Sequence, residues 1–289
     1  MTEPACVWAV QAELGEGPVW WPEAESLLFV DIKAPAILSW KPGDITRRWA
    51  MPAEIGAVVL RRGGGWLAAL RSGLAFVSPS TGVIEHFAAP EADIPGNRFN
   101  DGKCDPKGRF WVASMDDTMT KPTGRIWCLD GNLGLVAKDG GFIIGNGFGW
   151  NQEGRRMYFT DSENRTIHVY DYDPATGALG RRSIFATVSS DCGYPDGLCV
   201  DSEDHVWSAH WDGWRITRYR PDGSVARVID FPVPRPTSLA FGGGNLDRLY
   251  VTSARIGLSA ALLAKAPLSG GLFELDVGVC GRPEPRFAG

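Results

Sequence analysis

Cysteine pairs, basic runs, long apolar stretches and helical periodicity are scarce in this chain, and each scarcity excludes something. The six cysteines (Cys6, Cys104, Cys128, Cys192, Cys199 and Cys280) form no CxxC pair. That spacing argues against a thiolate zinc site and leaves reduced thiols, mostly buried in apolar strands, as the expectation. No run of Lys or Arg occurs and the formal net charge is −5, so the basic footprint that nucleic acid requires is missing. No stretch approaches the ~20 apolar residues of a membrane span. The opening MTEPACVWAVQAELGEGP has neither a basic start nor a continuous apolar core, so no signal peptide is expected, and the location expected is cytoplasmic. Helical pattern is confined to SARIGLSAALLAKAP (253–267), which could equally connect two strands.

Twelve Trp and thirty-six Gly point instead to packed strands and tight turns. A turn followed by a short apolar run occurs six times, at 21–31, 61–70, 105–114, 151–161, 201–210 and 242–253. The copies lie about 40–50 residues apart, the period of four-stranded blades around an axis. Strand-like segments flank each copy. Those before it are GEGPVWW (15–21), IGAVVLRR (55–62), NDGKCDP (100–106), GNGFGWN (145–151), PDGLCVD (195–201) and PTSLAFG (236–242). The expected fold is all-β: a six-bladed β-propeller of four-stranded antiparallel blades, forming one domain over 1–289. CVWAV (6–10) is strand-like and precedes the first blade, so it is expected to close the ring by pairing with the last blade.

The innermost strand of each blade lines the central channel. Aligned on an x-Gly step, these strands place Glu16, Ile55, Asp101, Asn146, Asp196 and Thr237 at one phase, with Ser238 replacing Gly in the sixth copy. Carboxylates gathered at a narrow mouth raise each other's pKa or require a cation. The set has oxygen donors and no His or Cys, which favours Ca²⁺, Mg²⁺, Mn²⁺ or Fe²⁺ over a structural Zn²⁺. Singly, each Asp or Asn is more simply a turn or strand cap; as a phased set they point to a metal or ligand site. None of His86, His168, His205 and His210 stands at an x-Gly position, and His210 is expected to pack at a strand end. GNGFG (145–149) opens no helix, so it is no dinucleotide fingerprint. The polar stretch 115–123 is either a lid or an ordinary loop.

The stretches LGEGPVW (14–20), RFNDGKCDPKGRFWVASM (98–115), GNGFGWN (145–151), MYFTDSENRTIHVYDYDPATGAL (157–179), PDGLCVDSEDHVWSAHWDGWRITRYRPDG (195–223) and LYVTSA (249–254) carry a resemblance. Jointly, in this order and at blade spacing, they resemble the family of senescence marker protein 30, gluconolactonase and luciferin-regenerating enzyme. Among members, bacterial sugar-acid lactonases such as xylonolactonase are the most similar. The resemblance implies one divalent cation (Fe²⁺, Ca²⁺, Mn²⁺, Mg²⁺ or Zn²⁺) held by Glu16, Asn146 and Asp196. It implies substrate contacts from Arg98 and Asn100. A third, acidic contact of the animal members aligns with Thr118 here, with Asp117 beside it.

The reaction the resemblance implies is hydrolysis of an aldonolactone, a pentonolactone before gluconolactone, in sugar catabolism. Asp196 is the expected water-orienting group and Asp101 a second candidate base. The partner expected is a small sugar lactone, with no nucleic acid, no membrane and no obligate protein partner. The alternatives are a propeller hydrolase of phosphotriesters or aryl esters, and a non-catalytic propeller that its cation only stiffens.

Overall fold

The computed structural model describes residues 3–44 and 46–289. It contains six four-stranded sheets, each antiparallel, and is the expected six-bladed propeller. The innermost strands are Gly15–Trp21, Ile55–Leu60, Asn97–Cys104, Gly145–Trp150, Tyr194–Val200 and Pro236–Gly242. Blades one to five each use four consecutive strands. The sixth takes Pro236–Gly242, Arg248–Ser253 and Leu272–Leu275, and its outer strand is Ala5–Trp8. The ring therefore closes as expected, with Cys6 opposite Phe273, although the strand is shorter than 6–10. The outer strands are the remaining sheet edges, and they range from four residues in Ala5–Trp8 to ten in Ala178–Thr187.

The helix Ala260–Lys265 lies in the connection between the second and third strands of the sixth blade, where Ser259 caps it by accepting from the Leu262 amide at 3.2 Å. Among the described residues no helix is long and apolar enough to cross a membrane. All six cysteines are free; Cys104, Cys128 and Cys199 are buried, while Cys280 is exposed.

The core sits between blades. Leu28, Val30 and Ile37 of blade one pack with Val58, Trp66 and Ala68 of blade two, and Trp21 and Trp49 meet the Trp66 ring edge-on at 5.7 and 4.8 Å. Ala57, Val59 and Leu67 of blade two pack in turn with Phe99, Phe110 and Val112 of blade three. Alternating strand residues thus supply both walls of each interblade layer, which is why these strands read as nearly continuous apolar runs.

Near the axis the strands come closer than side chains allow. A Cβ on Gly147 would stand 2.4 Å from the Leu198 amide of the next blade, and one on Gly197 would stand 2.2 Å from Ser238 Oγ. Only glycine fits such an approach without moving a strand. Gly147→Ala should therefore lower unfolding stability by about 1–3 kcal/mol, the usual cost of overpacking. Gly63→Ala, where a Cβ meets nothing within 4 Å, should change it by less than about 0.5 kcal/mol. Urea unfolding midpoints compare the two; equal midpoints would remove the close-approach account.

Candidate metal centre and substrate cavity

The innermost strands share an irregularity. In every blade, pairing with the neighbouring strand slips at the same step: between Glu16 and Val19, Ile55 and Ala57, Phe99 and Gly102, Gly145 and Phe148, Pro195 and Leu198, and Pro236 and Leu239. Each slip is a β-bulge, which frees residues from the ladder and re-aims their side chains.

This register corrects one alignment made on sequence. In blade three the unpaired residues are Asn100 and Asp101. Asn100 shares its phase with Asn146, Asp196 and Thr237, while Asp101 shares that of Gly147, Gly197 and Ser238. A shift of one residue exchanges the faces of a strand. Accordingly Asn100, Asn146 and Asp196 line a cavity of about 530 Å³, joined by Glu16, which stays paired with Val30 beside its bulge, and Asp101 is not among the lining residues. Ile55 belongs to the apolar core. Thr237 is satisfied by the Gly15 carbonyl at 2.5 Å and the Thr252 hydroxyl at 2.8 Å.

At the cavity floor Glu16, Asn146 and Asp196 are only 5, 4 and 4 % exposed. Asn146 Nδ2 donates a short hydrogen bond to Asp196 Oδ1 and a longer one, 3.3 Å, to Ser162 Oγ. Asn146 Oδ1 is buried without a hydrogen-bond partner, a costly state for an amide oxygen. Glu16 has one amide donor, Gly17 N at 3.1 Å. Burial pushes the Glu16 carboxyl well above the usual carboxylate range, and the charges of Asp196 and Asp101 push it further. Burial and the Asp101 charge do the same to Asp196, against hydrogen bonds from Asn146 and the Gly197 amide.

Two buried carboxylates that resist ionisation and an unpartnered amide oxygen form a donor set that a hard divalent cation satisfies. Among the described residues no three His, Cys, Asp or Glu side chains form a metal cage; here the third oxygen is an amide. The residues present fit a divalent ion with open positions.

The cavity wall carries a second cluster. Arg98, 6 % exposed, donates from Nε to Asp117 Oδ1 at 2.8 Å and from Nη1 to Asn100 Oδ1 at 2.7 Å and the Phe99 carbonyl at 3.1 Å. Asn100 Nδ2 donates to the Gly145 carbonyl at 3.0 Å. Asp117 also accepts from Lys33 at 3.0 Å and from Arg71 through a short bond. Glu54 accepts from the same two cations at 2.8 and 2.7 Å. Burial would raise the Asp117 carboxyl, but hydrogen bonds from Arg98 and Lys33 outweigh it and hold it at about 2. Asp117 is thus a fixed anion on which cations from three blades converge.

Thr118 lies elsewhere. It is exposed, donates to Asp116 Oδ2 at 2.6 Å, and does not line the cavity. Asp116 also accepts from the Thr120 and Lys121 amides at 3.0 Å each, which ties the stretch into a turn whose Met115, Asp117 and Met119 reach the cavity.

His210 does not line the cavity; its Nδ1 is 2.9 Å from the Cys192 carbonyl, and burial depresses the ring to about 4. Lining residues that the innermost-strand alignment passed over include Lys33, Glu163, Trp211, Arg235 and Ile256. All but Arg235 stand at or just beyond the end of a blade's second strand. The signal that finds them is that repeat position.

The model of the SMP-30/gluconolactonase/LRE-like region matches residues 14–255. A pentonolactonase, XacC, of Haloferax volcanii is 36 % identical over 280 residues, 94 % of each chain. A 6-deoxy-6-sulfogluconolactonase of Pseudomonas putida is 35 % identical over 286 residues, 98 % of each chain. The crystal structure of a calcium-binding protein, regucalcin, from Agrobacterium tumefaciens superposes with a TM-score of 0.95 at 28 % identity, covering 99 % of this chain and 97 % of that one. The chain belongs to the SMP-30/gluconolactonase/LRE-like family.

Proposed function

We propose that this protein hydrolyses an aldonolactone to its open sugar acid, with a pentonolactone such as D-xylonolactone preferred to gluconolactone. One observation carries the reading: an oxygen donor set of Glu16, Asn146 and Asp196 shares a cavity of about 530 Å³ with the Arg98–Asn100–Asp117 cluster. That volume suits a small ligand. The named activities of the Haloferax and Pseudomonas relatives support the lactone class, and the former supports the five-carbon preference.

Glu16, Asn146 and Asp196 would hold the divalent cation. When bound, the cation supplies Lewis acidity and charge stabilisation at the lactone carbonyl. The remaining work falls to the chain. Asp196 orients the water whose oxygen bonds to the carbonyl carbon. The ring C–O bond breaks, the ring oxygen keeps the electron pair and gains a proton, and the product carboxylic acid releases a proton at neutral pH. Arg98, its plane fixed by Asp117 and Asn100, binds substrate hydroxyls and faces the developing negative charge. Asn100 holds a further hydroxyl. Asp117 keeps Arg98 in place and is too acidic for proton transfer at working pH.

Chelation should lower lactone opening, followed by proton release, by at least about a hundredfold, with recovery on adding Mn²⁺. Full activity after verified metal loss would end the metal-dependent reading. A panel of xylono-, arabinono- and gluconolactone with a phosphotriester and an aryl ester tests the substrate class, and a preference for either ester would replace the lactone.

Asp196→Ala should abolish turnover. Arg98→Ala should raise KM by about ten- to a hundredfold if its binding is uniform along the reaction. An equal fall in kcat and kcat/KM would place Arg98 in the transition state instead.

The Asp117 carboxyl is depressed in the folded state to about 2, below its unfolded value of about 3.9. Its stabilising contribution is therefore complete above about pH 4 and lost as pH falls through about 2. Any acid limb of the rate profile between pH 5 and 8 should persist in Asp117→Asn, with KM raised about tenfold as Arg98 loses its anchor. A limb that disappears with this substitution would show that Asp117 titrates in the working range.

A further inference from the structure

Beyond the floor of the cavity, the channel holds a second set of charges that the reaction above does not use. Lys103 and Glu284 are 16 and 19 % exposed in their side chains, and Lys103 Nζ lies 3.1 Å from Glu284 Oε1. Lys103 also donates to the Leu198 carbonyl at 3.3 Å, two residues beyond Asp196 on the same strand. Asp101, 6 % exposed, accepts from the Gly102 amide at 2.6 Å. A small cavity of about 20 Å³, room for a single water, is lined by Asp101, Lys103 and Glu284 together with Gly17, the neighbour of Glu16.

Glu284 comes from outside the blades. The segment 280–289 crosses the far ends of the innermost strands, opposite the substrate mouth. The Gly281 amide bonds the Leu246 carbonyl at 2.8 Å, Arg282 Nη2 the Trp150 carbonyl at 2.7 Å, the Phe287 amide the Leu60 carbonyl at 2.9 Å, and the Ala288 amide the Gly108 carbonyl at 2.9 Å. Phe287 is fully buried. The strap therefore fixes one carboxylate in the channel behind the candidate metal ligands.

On the metal-dependent reading above, we propose that Lys103 and Glu284 are positioning residues whose paired charges set how strongly Glu16, Asn146 and Asp196 attract a divalent cation. The charges are connected step by step. Lys103 and Glu284 act in opposite senses on Asp101, and Asp101 acts on both Glu16 and Asp196. With Asp101 ionised, the three rear groups sum to one negative charge. Neutralising Glu284 leaves Lys103 unopposed and brings the sum to zero. Removing both members of the pair leaves the single negative charge of Asp101, the same sum as in the wild type.

The test is Mn²⁺ binding to the metal-stripped full chain at pH 8, measured by calorimetric titration, with a thermal melt for each variant. Glu284→Gln should raise the Kd about tenfold, the effect of one charge in a poorly screened interior. Lys103→Met/Glu284→Gln should return it to within about threefold of wild type. Lys103→Met alone should bind no more weakly than wild type, and it keeps the proposal open to refutation if Glu284→Gln does not fold. A merely structural pair would predict the double variant to be no better than the single one. An unchanged Kd in Glu284→Gln, a double variant at least as weak as the single, or weaker binding in Lys103→Met would each overturn the proposal. A wild-type chain that binds no Mn²⁺ would overturn the metal reading itself, a result distinct from wild-type binding that the variants leave unaltered.

Discussion

The burial of like charges around one axis is the constraint to which the rest of this protein answers. Glu16, Asp101 and Asp196 are each at most 6 % exposed, and the charge of Asp101 bears on the other two. In a poorly hydrated channel such carboxylates cannot all ionise without compensation. Compensation comes from three directions. Arg98 lowers both Glu16 and Asp196 from the cavity wall. Lys103 lowers Asp101 from behind. A divalent cation would complete the balance in front, where the Asn146 oxygen is unpartnered.

The propeller supplies this concentration of charge through its backbone. Bulges at one level free polar residues from the ladder in blades three to six, and glycines at that level let neighbouring strands approach. Gly147 and Gly197 each directly follow a candidate ligand, Asn146 and Asp196. The same two-residue step therefore offers an oxygen donor and removes the side chain that would hold the strands apart. In blade three the second residue is Asp101 instead, facing the rear of the channel with Lys103 and Glu284. This blade thus contributes a charge behind the floor as well as Asn100 and Arg98 in front of it.

The fold was legible because a propeller repeats one simple signal. Turn chemistry followed by an apolar run recurs six times, and two innermost strands, Gly15–Trp21 and Pro236–Gly242, match their sequence segments residue for residue. The site was legible in part. Glu16, Asn146 and Asp196 do come together, as do Arg98, Asn100 and Asp117. What sequence could not supply was the position of the bulge. The Asp-Gly step of blade three looks like the Asp-Gly of blade five, so spacing alone assigns Asp101 the phase of Asp196. Pairing geometry moves it by one residue and so to another face. Glu284 was beyond reach for a different reason: no repeat contains it, and only the strap brings it to Lys103.

The two layers of the cavity also differ in how they can change. Its floor is made by residues of innermost strands within or next to the bulges, where a shift of one residue would exchange faces and a Cβ would meet backbone. Much of its rim is made at or beyond the ends of second strands, by Lys33, Asp117, Glu163, Trp211 and Ile256. Rim residues interact through side chains: Lys33 and Arg71 converge on Asp117, and the Arg235 guanidinium lies 4.4 Å from the Trp211 ring centroid. Loop positions accept substitution far more readily than packed strands. Relatives that share 35 and 36 % identity with this chain carry the names of different lactones. Such a division, with chemistry fixed by the strands and selectivity adjustable in the loops, allows one scaffold to serve both. On the proposed lactonase reading, the choice of sugar would rest with the rim residues Lys33, Asp117 and Arg235 rather than with the oxygen donors beneath them.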